Sequence, residues 1–167
     1  MNAETPAPIF CNDGTVLPEW IDSMGHMNIA FYVRAFDFGI DGFFRHIALF
    51  DDYKEKLGHT FWVLELHVTY EHEMRLGEPF RISAQLLGYD DKRMQVMFFM
   101  HHAVHGYLCA TMDSIFIHVD FAARKSAPLL PEARAALEQL WQVHARIPRP
   151  PQAGRAIALK GRRPSAT

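Results

Sequence analysis

The hydrophobic residues change their spacing near residue 60, and this change constrains the fold more than any other feature of the sequence. From residue 29 to residue 50, apolar side chains recur every three or four positions, which is the period of one helical face. From residue 60 onward they alternate with polar residues, and the alternation recurs over 80–86, 94–100 and 108–119, which predicts antiparallel strands. One long helix followed by a run of strands is typical of an α+β domain.

The ends of the chain add three smaller elements to this prediction. Asp13-Gly14 predicts the tight turn of a short hairpin between Pro8 and Trp20. A second helix is predicted from Pro131 to His144, because proline is favoured at the first helical position. Residues 1–147 are therefore expected to form one domain, followed by a Pro- and Arg-rich tail over 148–167 that lies extended over the surface.

Composition excludes several classes of function. The net charge of -2 argues against a nucleic-acid partner, and no apolar stretch reaches the length of a membrane span. The N-terminus lacks a basic region followed by an apolar run, so no signal peptide is predicted. Cys11 and Cys109 form no CxxC motif and are expected to remain reduced thiols. The sequence therefore predicts a cytoplasmic protein without a membrane partner.

The polar loop before the long helix carries the residues with the clearest chemistry. The first helical N–H groups, at Ile29 and Ala30, have no intrahelical acceptor and can stabilise an oxyanion. Asp22 can attack a carbonyl carbon or activate a water molecule, with His26 and Asn28 orienting the loop or the substrate. The alternative is purely structural: Asp22 satisfies loop N–H groups, His26 is a hydrogen-bonded loop residue and Asn28 is an N-cap.

The same loop carries a family resemblance. Its pattern D-x-x-G-H-M-N-x-x-x-Y, from Asp22 to Tyr32, resembles the signature of the 4-hydroxybenzoyl-CoA thioesterase-like hotdog family. The likeness extends from about residue 8 to residue 145 and implies a single hotdog domain, in which an antiparallel sheet wraps the long helix. It also implies an acyl-CoA thioesterase that is a homodimer or homotetramer with active sites between subunits. Asp22 then matches the family's nucleophile or general base, and no cofactor is required.

A narrower resemblance concerns the substrate. PEWIDSMGHMNIAFYVRAFDFGIDGF, the segment from His118 to Pro128 and the closing RIPRP…GRAIAL are similar to betainyl-CoA thioesterases of carnitine breakdown. The implied acyl group carries a trimethylammonium head, which aromatic rings and carboxylates recognise. The candidate substrate-binding residues are Tyr32, Asp37, Trp62 and Glu65. The loop reads Asp-Ser-Met-Gly where that group is expected to carry Asp-Tyr-Asn-Gly, so its detailed contacts differ.

Several polar residues have two interpretations. Asp37 is the second candidate for the catalytic carboxylate, or else forms a surface ion pair with Arg34. Basic and hydroxyl groups suited to the phosphates of coenzyme A occur at Arg93, Arg124, Lys125 and Ser126. The histidines at 101, 102 and 105 lack the spacing of a metal site and are expected at the surface, so no metal is predicted.

Two other functions remain open at this stage. A hotdog enoyl-CoA hydratase would add water to a double bond, and a non-catalytic module would bind acyl-CoA without turnover. One fold hosts many functions, so the fold alone does not decide among them.

Overall fold

A computed structural model describes residues 6–158, and within this range the chain forms six strands and three helices. The strands are β1 (Ile9–Thr15), β2 (His59–Tyr70), β3 (Pro79–Tyr89), β4 (Arg93–His102), β5 (Leu108–Asp120) and β6 (Lys125–Ser126). The helices are α1 (Ile29–His46), α2 (Asp51–Leu57) and α3 (Pro131–His144), and Pro18–Trp20 forms one 3₁₀ turn.

The strands form one antiparallel sheet in the order β1-β3-β4-β5-β2, with β6 paired to the end of β5. The sheet curls around α1, whose apolar face carries the fully buried rings of Phe36 and Phe43. These rings belong to the same core as Phe98 of β4 and Phe116 of β5. The α+β hotdog architecture predicted from the sequence is therefore confirmed.

Helix α1 ends four residues earlier than its apolar periodicity predicts. Asn28 caps its start as expected, since its side chain accepts the Ala30 N–H at 3.0 Å. The helix stops at His46, and Ala48 adopts a left-handed φ of 57° that no helix accommodates. The periodicity runs on because Ile47 and Leu49 are buried in the same core after the helix has ended.

The predicted hairpin between Pro8 and Trp20 is wrong. Asp13 and Gly14 lie inside β1, which pairs with the distant strand β3 rather than with its own neighbours. A Cβ atom on Gly14 would lie 2.7 Å from Cζ of Phe80, so this glycine serves a close ring contact instead of a turn. A register shift between Phe10 and Asn12 adds a bulge to the strand.

The chain beyond α3 returns along the face of the sheet that points away from α1. Gln85 donates from its amide to the carbonyl oxygen of Ile147 at 3.3 Å. The Gly154 N–H donates to Oδ2 of Asp113 at 2.7 Å, and Gln95 donates to the same carboxylate at 2.8 Å. Asp113 is therefore a hydrogen-bonded structural residue. Residues 159–167 of the predicted tail lie outside the described residues.

Two further features bear on earlier expectations. Cys11 and Cys109 are free cysteines in this structure. Across the described ranges, no helix is long and apolar enough to cross a membrane.

Candidate active site

The loop between Trp20 and α1 is held in place by backbone hydrogen bonds. Ile21 and Met27 form an isolated antiparallel bridge, which closes the loop on itself. The Met27 N–H donates to the carbonyl oxygen of Met74 at 2.7 Å, and the Asn28 N–H donates to that of Trp20 at 2.9 Å. Gly25 has a φ of +81°, a conformation that favours glycine. These hydrogen bonds therefore fix the backbone of the loop at the N-terminus of α1.

One oxygen of Asp22 orders this loop, while the other has no protein partner in the described part of the chain. Oδ1 accepts the Met24 N–H at 2.8 Å and the His26 N–H at 3.4 Å. The side chain is partly exposed at the mouth of the loop. The structural interpretation of Asp22 thus holds for Oδ1, and Oδ2 remains available for a reaction.

The helix N-terminus that follows this loop offers one open donor. The Ala30 N–H is engaged by the Asn28 side chain, and the Phe31 N–H donates to the Asn28 carbonyl oxygen at 2.9 Å. The Ile29 N–H finds no acceptor among residues 6–158. Of the two predicted oxyanion donors, Ile29 is therefore the one that the cap leaves open.

His26 contacts an acidic side chain that sequence patterns did not predict. Its Nε2 lies 2.9 Å from Oε2 of Glu73, and both side chains are partly exposed. Glu73 is also bonded through Oε1 to the Arg75 guanidinium at 2.6 Å. Glu73 follows β2 in an irregular segment that carries no motif, so only its place in a cluster of charges, EHEMR, could have marked it.

Two tyrosines connect α1 with the end of β2. The buried Tyr32 hydroxyl accepts the Met74 N–H at 2.9 Å, and burial raises the Tyr32 pKa to about 12. Tyr70 is half-exposed and donates to the carbonyl oxygen of Ile29 at 3.3 Å. Their rings meet edge to face at 5.2 Å. Tyr32 thus links α1 to the segment after β2 within the core, whereas Tyr70 exposes part of its ring beside the helix N-terminus.

The predicted residues Trp62 and Glu65 lie elsewhere, on the face of β2 that points away from α1. The Arg124 guanidinium lies over the Trp62 ring at 5.2 Å. Trp62 is eight positions from Tyr70, a distance of about 26 Å along an extended strand. These two residues are therefore remote from Asp22 of the same chain.

The four predicted coenzyme A contacts lie at that remote end of the sheet. Lys125 and Ser126 form β6, next to Arg124 in the exposed turn after β5. Arg93 starts β4 and forms an ion pair with Asp90 at 2.7 Å. Arg93 and Trp62 both pair with Ile117 of β5, so the basic residues and the indole share one surface region.

A groove lies between α1 and the start of β2, at a distance from the loop. Its volume is about 350 Å³, and its lining includes Asp37, Asp41, Phe44 and Phe61. Asp37 is exposed and forms the predicted ion pair with Arg34 at 2.8 Å. It lies nine positions beyond Asn28, or roughly 14 Å along the helix. Asp37 therefore does not meet Asp22 within one chain.

The three clustered histidines are not all at the surface, contrary to expectation. His102 is buried, and its Nδ1 accepts the N–H groups of Val104 and His105, both at 3.2 Å. It orders the turn before β5 because its ring supplies the acceptor that this turn otherwise lacks. Within the part of the chain that the structure describes, no group of three His, Cys, Asp or Glu side chains is arranged to hold a metal ion.

Comparison with known proteins places this fold and loop in one class. The profile of the thioesterase-like superfamily matches residues 16–137. A betainyl-CoA thioesterase from Pseudomonas aeruginosa is 35% identical over 148 residues, which covers 86% of this chain and 91% of that protein. A Rhizobium meliloti protein named L-carnitine dehydrogenase/betainyl-CoA thioesterase is 31% identical over 157 residues, and the match spans 32% of its length.

A solved structure supports the same class. A hypothetical protein from Staphylococcus aureus, determined in complex with CoA, superposes with a TM-score of 0.85 and 26% identity. The match covers 96% of this chain and all of that one. The fold and these relatives thus define a hotdog thioester hydrolase. The chain belongs to the thioesterase-like superfamily, and it is an acyl-CoA thioesterase.

Proposed function

We propose that the protein hydrolyses betainyl-CoA, or a similarly small and polar acyl-CoA, with Asp22 as the reacting carboxylate. The observation that carries this proposal is a loop that holds Asp22 with its Oδ2 unengaged and leads into a helix N-terminus with an open Ile29 N–H. A carboxylate and an oxyanion donor on one rigid loop suit attack on a thioester carbonyl.

Asp22 can act in either of two ways. As a general base, Oδ2 takes a proton from water while the water oxygen bonds to the carbonyl carbon. The oxyanion that forms accepts the Ile29 N–H, and the helix dipole favours its negative charge. Collapse breaks the C–S bond, and the proton held by Asp22 passes to the departing thiolate. As a nucleophile, Oδ2 bonds to the carbonyl carbon itself, CoA leaves, and water then hydrolyses the mixed anhydride.

His26 and Asn28 hold this loop. Asn28 fixes the first turn of α1, so the direction of the Ile29 N–H is set before substrate arrives. His26 ties the loop to Glu73, and its N–H completes the shell around Oδ1 of Asp22. Because these groups are already oriented, they do not have to be rearranged during the reaction. No step requires a cofactor, and coenzyme A enters as part of the substrate.

The proposed substrate follows from two likenesses. The Pseudomonas aeruginosa relative is named for betainyl-CoA, and the Staphylococcus aureus structure contains CoA. The candidate residues for the CoA phosphates remain Arg93, Arg124, Lys125 and Ser126, whose exposed cationic and hydroxyl groups can bind a polyanion.

The proposal includes a cytoplasmic homodimer formed through β2, from which a homotetramer can be assembled. This strand is the edge of the sheet, and Val63, Leu64 and Leu66 are 43%, 56% and 42% exposed in the single chain. Unpaired edge strands with apolar side chains invite pairing with another chain. An antiparallel pairing of two β2 strands would bury these side chains and satisfy the edge backbone.

A panel of thioesters tests the proposal. Thiol release is measured with betainyl-, acetyl-, benzoyl- and long-chain acyl-CoA, and we expect betainyl-CoA to give the highest kcat/KM. Fast release from the other thioesters instead would remove the substrate assignment while keeping the thioesterase. Consumption of an enoyl-CoA without thiol release would indicate a hydratase, and saturable binding without any release would indicate a binding module.

A further inference from the structure

We infer that a second pocket, at the end of α1 opposite the candidate active site, binds a small apolar carboxylic acid in its ionised form. The pocket lies between α3, the turn after α1 and the start of β1, and its volume is about 430 Å³. This volume falls in the range of small-molecule sites. We call it the acid pocket and define it by six of its lining residues: His46, Ala48, Gln139, Leu140, Val143 and His144.

The acid pocket is remote from the Asp22 loop. His46, at the end of α1, lies eighteen positions beyond Asn28, or roughly 27 Å along the helix. The strand at the pocket, β1, is one edge of the sheet, and β2, the strand of the proposed dimer, is the other edge. The acid pocket therefore belongs neither to the candidate active site nor to the proposed dimer interface.

His144 contributes a buried hydrogen-bond donor. β1 begins at Ile9, opposite Ala84, so Leu86 of β3 lies beyond the last pair of these strands. Nδ1 of His144 accepts the Leu86 N–H at 2.8 Å, which places the ring proton on Nε2. The His144 side chain is 1% exposed, and its Nε2 has no partner within residues 6–158. Leaving such a donor unsatisfied is costly, and a ligand oxygen would satisfy it.

This donor is directed to the pocket side of the ring. Nδ1 is turned to Leu86, which lines the neighbouring groove behind α3, and the two nitrogens lie on different sides of the imidazole. The second imidazole of the lining belongs to His46. Burial, and then the charge of His46, lower the pKa of His144 to about 4, so the two rings are close together. An anion between them would offset their mutual repulsion.

The rest of the lining suits an apolar acid. Within the described residues, the pocket wall carries no Asp, Glu, Lys or Arg side chain. Its polar groups are the two imidazoles and the Gln139 amide, all of which can donate, and its other residues are aliphatic. At the end of α1, the carbonyl oxygens of Phe43 and Arg45 already accept backbone N–H groups. A carboxylate would accept from the donors and place its chain against the aliphatic wall.

The ligand class has a simple chemical source. Thioester hydrolysis produces carboxylic acids, and free fatty acids carry the same head group. Because the acid pocket is far from Asp22, it would bind such an acid without occupying the candidate active site.

Calorimetry tests the class of ligand. Hexanoate, hexanol and hexylammonium share one alkyl chain and are titrated into the full chain at pH 7. We expect hexanoate to bind at one site per chain, with a Kd at least about tenfold below those of the other two, the scale of a hydrogen bond to a charged group. Hexanol binding as tightly as hexanoate would show that the carboxylate is not recognised and would overturn the inference. Undetectable hexanoate binding would overturn it as well.

Two variants locate the site. Asparagine in His144→Asn can retain an acceptor for the Leu86 N–H but lacks the Nε2 donor, so hexanoate binding should weaken roughly tenfold or more. Val143 is 39% exposed and lines the pocket, so the bulk of Val143→Phe should block binding while His144 is kept. His67→Asn is the matched control, because His67 lies on β2 at the other edge of the sheet. Unchanged hexanoate binding in either pocket variant contradicts the assignment.

The outcome is independent of thioester hydrolysis. Asp22→Asn should bind hexanoate as the wild type does, whereas loss of binding in this variant would place the acid at the candidate active site and sink the inference. If no acyl-CoA releases thiol while hexanoate binding depends on His144, the proposed function fails and the acid pocket stands.

Discussion

The stability of the protein should fall steeply in mild acid because of His144 on α3. This side chain is 1% exposed, and its Nδ1 accepts the Leu86 N–H at 2.8 Å. The ring proton must therefore reside on Nε2, which is buried without a partner among the described residues. Burial, with a smaller contribution from the nearby charge of His46, lowers the His144 pKa from 6.5 to about 4.

The sign and size of the effect follow from this pKa. Between pH 6.5 and pH 4 the unfolded chain binds the proton and the folded chain does not, so the free energy of unfolding falls as the pH falls. Stability from this group is complete above about pH 6.5. The loss amounts to about 2 kcal/mol between pH 7 and pH 5, and roughly 3 kcal/mol over the whole range. For a chain of this length, 2 kcal/mol corresponds to about 4–8 °C in Tm.

The assay is thermal unfolding at pH 7 and pH 5, with His144→Asn as the matched variant. Asparagine can retain an acceptor for the Leu86 N–H but does not titrate, so its Tm should fall by about 4–8 °C less than that of the wild type. Lowered pKa values of His101 and His118 act in the same direction, and they cancel in this comparison. Equal pH dependence in the two proteins would refute the reasoning.

Three further predictions concern packing and assembly. A Cβ atom on Gly42 would lie 1.9 Å from the Cys11 carbonyl oxygen. Gly42→Ala should therefore lower the free energy of unfolding, measured in urea, by at least about 2 kcal/mol. The Cβ atom of Gly39→Ala would contact only the Ile82 side chain, so this variant should lose less free energy of unfolding than Gly42→Ala. A larger loss in Gly39→Ala would contradict this expectation. Tyr53→Phe leaves Nε2 of His118 without its 2.7 Å partner and should lower stability by about 1–3 kcal/mol, whereas a loss too small to resolve would exclude that role. Leu64→Lys at the β2 edge should give monomers by sedimentation and reduce thiol release, and an intact dimer would rule out this interface.

Much of the fold follows from periodicity because each element buries one face within its own chain. The predicted turn at Asp13-Gly14 is wrong because the residues of a turn do not determine which distant strand pairs with them. Here β1 pairs with β3, and Ile9 lies opposite Ala84, 75 positions away. The loop before α1 could be proposed as a site from the sequence because its residues are contiguous. The groove between α1 and β2 could not be, since α1 supplies Asp41 and β2 supplies Phe61, and no sequence pattern reports which elements line one cavity.

The most direct test of the central claim compares Asp22→Asn with Ser23→Ala, a neighbouring loop variant whose side chain makes no hydrogen bond within residues 6–158. Thiol release from betainyl-CoA and binding of CoA are measured for both, together with the wild type. The account predicts that Asp22→Asn loses at least about a hundredfold in kcat while still binding CoA, the scale of a lost general base or nucleophile. Ser23→Ala should remain within a few-fold of the wild type. Near-normal turnover in Asp22→Asn would contradict the account.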